Sequence, residues 1–171
     1  MRVTTFNILH GRTIGDGVDP QRLMDCVRRL DPDVLALQEV DCEQPRSDHA
    51  DLRAAAAEAM GAVEHRFVAA ISGTPEATWV AATGREQPGT AAYGIALLSR
   101  FPVASWQVVA AVHRWSGMRP LAAAATFPAP APDRQLDHIL TDDGCLRGGA
   151  VEAELMPISD HRPLVVKLER A

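Results

Sequence analysis

Residues 34–40, VLALQEV, form an almost continuous apolar run. A run of that kind reads as a strand covered on both faces, so the chain has to place material on each side of its sheet. What precedes it narrows the architecture further. RVTTFNIL, residues 2–9, is rich in β-branched and aromatic residues and reads as a strand. Between the two lies DPQRLMDCVRRL, in which Asp19 is a helix N-cap, Pro20 a first-turn residue, and Leu23, Cys26, Val27 and Leu30 recur at helical spacing. The opening is therefore strand–helix–strand.

Downstream, Ser47 or Asp48 is expected to cap a second helix through ADLRAAAAEAM, with Gly61 as its stop. RFVAAI, YGIALLSR, VASWQVVAAV, LAAAAT, QLDHIL and PLVVKL are further strand candidates. Residues 72–90 read as a long loop of the sort that lines sites, 113–120 as a polar loop, and 127–133 as a Pro-rich connector that turns the chain. The second half lacks crossover helices, so a layered α/β sandwich fits better than a doubly wound sheet. The chain has 171 residues, 47% of them hydrophobic, which suits a single domain over residues 1–171 with a sizeable core.

The net charge of −5 argues against a general polyanion-binding surface, which relies on an excess of Lys and Arg. An acidic chain still accepts a phosphate ester when a divalent cation stands between them. Three cysteines, Cys26, Cys42 and Cys145, are odd in number and show no C-x-x-C spacing. That pattern points away from a disulfide framework and toward a reducing compartment. Met1-Arg2 leads straight into a strand-like segment, and no run approaches bilayer length, so a soluble cytoplasmic protein without a transmembrane segment is expected.

Polar residues at strand ends carry the chemistry. Asn7 closes the first strand, and Glu39 lies inside the apolar run, where an unpartnered carboxylate is costly. Read singly, Asn7 is a turn residue and Glu39 the exposed end of a strand. Asp137 in QLDHIL and the adjacent Asp160 and His161 in SDHRPLVV change the balance. A histidine acting on phosphate needs a carboxylate to fix its tautomer, and Asp137 supplies one if the two strands are neighbours. Oxygen-rich groups such as Asn7, Glu39 and Asp160 suit Mg²⁺ or Mn²⁺.

VTTFNIL, LALQEVD, YGIALLSRFPV, QLDHIL and SDHRPLVV, in that order, resemble the endonuclease/exonuclease/phosphatase superfamily of metal-dependent phosphoesterases. The resemblance implies a four-layer α/β sandwich of the DNase I-like kind, two β-sheets flanked by helices, with the site at one edge of the sheets. It implies Glu39 as the principal Mg²⁺ (or Mn²⁺) ligand, Asn7 beside it on metal or phosphate, and Asp160 completing the metal side. His161, oriented by Asp137, would contact the scissile phosphate. The family block containing Tyr93-Gly94 often continues with Asn, and Ile95 stands there instead, which removes a polar contact.

The family also carries a Thr-His block and a Gly-Asp-x-Asn block between LLSRFPV and QLDHIL, and this chain has neither. His113 has no Thr before it and reads as a loop residue. A shortened sandwich is the expectation, with exposed apolar edges that favour self-association. Loss of one preorganised transition-state contact costs about 10²–10³ in rate, so turnover is expected to be impaired. Two functions follow: a Mg²⁺-dependent phosphoesterase, or a degenerate member that binds a metal, a phosphate or a partner without catalysis. The substrate class is a phosphate ester, with nucleic acid possible but disfavoured by the lack of a basic, aromatic-studded stretch.

Overall fold

The computed structural model describes residues 1–13, 17–108, 118–142 and 144–170. The central strands come first: β1 (Arg2–Asn7) and β2 (Val34–Cys42), joined through helix α1 (Pro20–Leu30). Asp19 caps α1 as expected, its carboxylate accepting from the Gln21 and Arg22 backbone N–H groups at 2.9 and 3.4 Å. Helix α2 (Leu52–Met60) follows, and here the capping residue is Asp51, which accepts from the Ala54 N–H at 2.9 Å. Ser47 and Asp48 instead close a short 3₁₀ turn at Pro45–Ser47. Gly61, at φ +67, stops α2 in the left-handed conformation that only glycine adopts freely.

Strands β3 (Glu64–Ser72), β4 (Val80–Ala81) and β5 (Ala92–Ser99) come next, then β6 (Arg119–Pro120), β7 (Leu140–Thr141), β8 (Leu146–Glu152) and β9 (Leu164–Arg170). Seven of them make one mixed sheet in the order β4-β3-β5-β2-β1-β9-β8, while β6 and β7 pair as a second, two-stranded sheet. Among the described residues, these two sheets and two helices form the expected α/β sandwich.

Both helices cover the same face of the large sheet. Leu23, Cys26, Val27 and Leu30 of α1 and Leu52, Ala56 and Met60 of α2 bury Phe6, Leu35, Leu37, Ala96, Leu98 and Val165 in one core. On the opposite face, Leu164 and Val166 of β9 pack with Ala122 and, at their margin, Val3, Ala124 and Ile139. That second core underlies β1 and β9. Farther along the same face, Ile95 (52% exposed) and Leu97 (39%) of β5 project outward.

Three strand expectations are corrected, the first being QLDHIL, residues 135–140, of which only Leu140 lies in a strand, β7. LAAAAT is not a strand: Ala122 packs into the second core, but its neighbourhood joins the sheet region only by single bonds such as Leu121 N–H to Ile139 C=O, 2.9 Å. Alanine fills space without the branched surface that favours a pleated ladder. Residues 103–108 of VASWQVVAAV form no strand either, and the rest of that segment, with His113, lies outside the described residues. Strand β8, LRGGAVE, has no counterpart among the expectations because its two glycines mask a strand pattern. Among the described residues, no helix is long and apolar enough to cross a membrane.

Gly94 shows how tightly β5 is seated between β2 and β3. A Cβ at this position would stand 2.1 Å from the Val68 carbonyl oxygen and 2.9 Å from the Ala69 Cα. Gly94→Ala should therefore destabilise the fold by about 1–3 kcal/mol or more. Thermal unfolding checks this, at about 2–4 °C of Tm per kcal/mol for a chain of this size.

Candidate active site

The strand directions bring the candidate residues to one edge. β1 and β2 are parallel, with Asn7 beside Gln38, so both strands end there. β9 is antiparallel to β1 and β5 antiparallel to β2, so the segments that lead into β9 and β5 start at that edge. Asn7, Glu39, Tyr93 and the 159–161 segment converge for that reason.

Glu39 reaches the edge through a β-bulge. The register of β2 against β5 shifts between Leu37 and Val40, and Glu39 adopts φ +58. Strict alternation from Leu37 would aim the carboxylate into the helix-packed core. The bulge puts Val40, fully buried, in that place and turns Glu39 aside. The cost of a non-glycine residue in this region is of order 1–3 kcal/mol, and such strain concentrates at functional sites. Asn7 then fixes the carboxylate: its Nδ2 donates to Glu39 Oε1 at 2.8 Å, while its Oδ1 accepts from the Leu9 N–H at 3.1 Å. Both ends of the carboxamide are used, so its orientation is set.

The second pair is equally well held. His161 Nδ1 lies 2.8 Å from Asp137 Oδ2, with both residues largely buried. An ionised carboxylate only accepts, so Nδ1 carries the proton and Nε2 is left for another partner. Thr126 anchors Asp137 by accepting its N–H on Oγ1 at 3.4 Å, and its carbonyl accepts from the Arg162 N–H at 2.7 Å. The Phe127 ring packs against the imidazole with centroids 5.0 Å apart.

Ser159 ties the two pairs together. Its hydroxyl donates to the Asn7 carbonyl at 2.6 Å and accepts from the His161 N–H at 3.0 Å, and its own N–H donates to the Arg12 carbonyl at 2.9 Å. Asp160 is held through its backbone carbonyl, which accepts from the Ala129 N–H at 2.7 Å.

Four further residues surround Glu39. Tyr93 is paired across the strands with Asp41, and burial, followed by the nearby Glu39, pushes its phenol above its ordinary value. Arg46 grips the buried Asp41 through two bonds of 2.9 and 2.6 Å and lies over the Tyr93 ring, 5.1 Å from its centroid. His10 stands close enough to feel Arg46, Asp41 and Glu39. Burial, followed by the Arg46 charge, holds its imidazole below the usual value. Its Nδ1 is buried without a hydrogen-bond partner, at a backbone φ of +47. Sequence reasoning singles out neither His10, Asp41, Arg46 nor Ser159. The adjacency of Ser159 to the Asp160-His161 pair was the available signal. For Arg46, in the short 3₁₀ turn at Pro45–Ser47, there was none.

Whether the edge suits a divalent cation is a question of donors. Among the described residues, no group of three or more His, Cys, Asp or Glu side chains is gathered closely enough to hold a metal ion. Glu39 nevertheless provides a hard carboxylate oxygen donor of the type Mg²⁺ takes when one or two carboxylates, waters and substrate phosphate share its coordination. The strained, deliberately turned carboxylate fits that use.

The chain is thus an α/β sandwich that collects a carboxamide–carboxylate pair and a carboxylate–imidazole pair at one sheet edge. The chain belongs to the Endonuclease/Exonuclease/phosphatase family, whose model matches residues 4–161. Members of this family are generally metal-dependent phosphoesterases or nucleases. Among solved structures it is similar to an endonuclease/exonuclease/phosphatase from Beutenbergia cavernae DSM 12333, with TM-score 0.67 and 16% identity, over 100% of this chain and 72% of that one. It is also similar to an endonuclease/exonuclease/phosphatase family protein from Leptotrichia buccalis C-1013-b, with TM-score 0.59 and 12% identity, over 99% of both chains. At these identities the likeness shows the fold. No curated protein matches the chain.

His10 gives the site a pH signature. Protonating it costs more in the fold than in the unfolded chain, so the unfolded chain binds more protons once the pH falls below the ordinary imidazole value of 6.5. Stability is full above that value and declines as the pH drops through it. In His10→Asn, which tolerates the positive φ, the fall in Tm between about pH 7.5 and 5.5 should be visibly smaller than in the wild type.

Proposed function

We propose that the chain is a divalent-cation-dependent phosphoesterase, Mg²⁺ or Mn²⁺ serving as cofactor, which hydrolyses a phosphodiester or phosphomonoester by attack of water. The observation that carries this reading is the Ser159 seam, which locks the Asn7–Glu39 pair and the Asp137–His161 pair to one another at a single sheet edge.

In this reading Glu39 holds the cation, Asn7 orients the Glu39 carboxylate, and Asp160 adds a carboxylate on the same side. A bound divalent cation supplies Lewis acidity toward a phosphoryl oxygen and offsets the negative charge of the ester. The Nε2 of His161 faces the phosphate. In its protonated form it donates to a non-bridging oxygen, and Asp137 keeps the ring oriented and its positive charge matched. Ser159 fixes the backbone from which His161 projects, so the imidazole needs little rearrangement as charge develops. The acidic surface favours a small or neutral organic group over a long polyanion as the remainder of the ester.

A second reading is a non-catalytic member that binds a cation or a phosphate. It is favoured by the absence, among the described residues, of any group of three or more His, Cys, Asp or Glu side chains able to hold a metal ion. Hydrolysis of bis(p-nitrophenyl) phosphate separates the two. A rate that appears with Mg²⁺ or Mn²⁺ and vanishes with EDTA, and that falls about 10²–10⁴-fold in both Glu39→Gln and His161→Ala, is the expected result. Equal rates in wild type and Glu39→Gln would remove Glu39 from the mechanism. A chain inert in every metal leaves the binding reading.

A further inference from the structure

We propose that β3 is an interface strand, whose open outer edge pairs antiparallel, about a two-fold axis, with β3 of a second copy of this chain. The pairing is independent of the chemistry proposed for the site.

The sheet leaves this edge open. β3 lies between β4 and β5, but β4 is two residues long and pairs only with Ile71 and Ser72. Among the described residues, the outer edge from Glu64 to Ala69 therefore has no neighbouring strand. Open space of about 1000 Å³ lies between this part of β3 and residues 81–90. The sheet face that the edge bounds is open as well. Ile95 and Leu97 of β5 project there, paired across the strands with Val68 and Arg66, and Trp106 and Val108 border the same patch. An unpaired edge beside an exposed apolar face is a template for adding a strand, and soluble proteins ordinarily cover it.

Charge identifies the occupant as a second copy. Cross-strand partners share a face, so Arg66, opposite Leu97, and Glu64, two residues earlier, project to the same side. Neither has an ion-pair partner among the described residues. In an antiparallel pairing centred on His65, Glu64 of each copy stands directly opposite Arg66 of the other. One sequence thereby makes two ion pairs by symmetry. The same register sets Val63, which is 62% exposed, against Phe67 of the second copy. Neighbouring registers lose the match. Centring on Glu64 or on Arg66 opposes like charges, and centring on Phe67 sets Arg66 against Val68. Any other extended partner would need the same Glu-x-Arg spacing, which this chain already supplies. A contact confined to one strand edge lies at the small end of specific interfaces, so association in the micromolar range is expected.

Sedimentation velocity of the whole chain over a range of concentrations tests this. The wild type should pass from monomer to dimer as the concentration rises, and added NaCl should weaken the dimer. Arg66→Glu and Glu64→Arg each oppose like charges across the axis. Each should raise the dissociation constant by about 10-fold or more, with the Tm of the dilute monomer little changed. The exchange Glu64→Arg/Arg66→Glu should return the constant to near its wild-type value, because the two-fold regenerates both ion pairs. A chain that stays monomeric at every concentration overturns the proposal. So do single variants that dimerise as the wild type does, or an exchanged variant no better than the single ones. Association that none of these substitutions alters would also overturn it, by assigning the contact to the apolar face of β5 and not to the β3 edge.

Discussion

The parallel pairing of β1 with β2 is the constraint on which the site depends. Parallel neighbours end at the same edge, so Asn7 and Glu39 arrive together once Asn7 is set beside Gln38. A helix has to return the chain between them, and α1 does so on the face it then covers. The outer neighbours β5 and β9 both run the opposite way, which delivers the beginnings of their segments, Tyr93 and His161, to the same edge. Four strands far apart in the chain thus contribute to one place, and none of their contributions depends on a long flexible loop.

That edge is held by strain as well as by hydrogen bonds. Glu39 and Ser159 both sit at positive φ, as do His10 and its neighbours Leu9 and Gly11. Each of these non-glycine conformations is unfavourable by itself, and each is overdetermined by what surrounds it. Val40 filling the core requires the bulge that turns Glu39. Ser159 is fixed from three directions, by the Asn7 carbonyl, the His161 N–H and the Arg12 carbonyl. The site is built where the regular sheet is broken.

Much of this was legible in the sequence, and the boundary is physical. Strong periodicity announced β1, α1, β2, β5 and β9, and Asp19, Pro20 and Gly61 marked helix ends by local chemistry that tertiary context did not override. Asn7, Glu39, Asp137 and His161 were legible as polar residues where polarity was out of place, and the structure joins them in pairs. The LALQEV segment even contains its bulge: Leu35 and Leu37 alternate, and the next core residue is Val40, one position late. Other features depend on pairings that no local pattern encodes. Arg46 meets Asp41 and Tyr93 only because a loop folds back over β2 and β5. β8 owes its strand to β9, with two glycines obscuring it. LAAAAT supplied a strand-like run, yet its small side chains pack as filler and do not support a ladder.

Charge pairing ties the fold to the chemistry proposed for it. In a chain of net charge −5, an anionic ester approaches only where local acids are already matched. At this edge Asp41 is matched by Arg46, and Asp137 has His161 as its partner. The acids within the gathered groups are therefore sorted into those consumed by charged side chains and one, Glu39, supported by the neutral Asn7 amide. If Glu39 recruits a divalent cation, the local field changes sign at the point where a phosphate would sit, and the His161 imidazole approaches the ester from the segment leading into β9. The arrangement needs no basic surface, which accounts for how an acidic sandwich of this family would act on an anionic substrate.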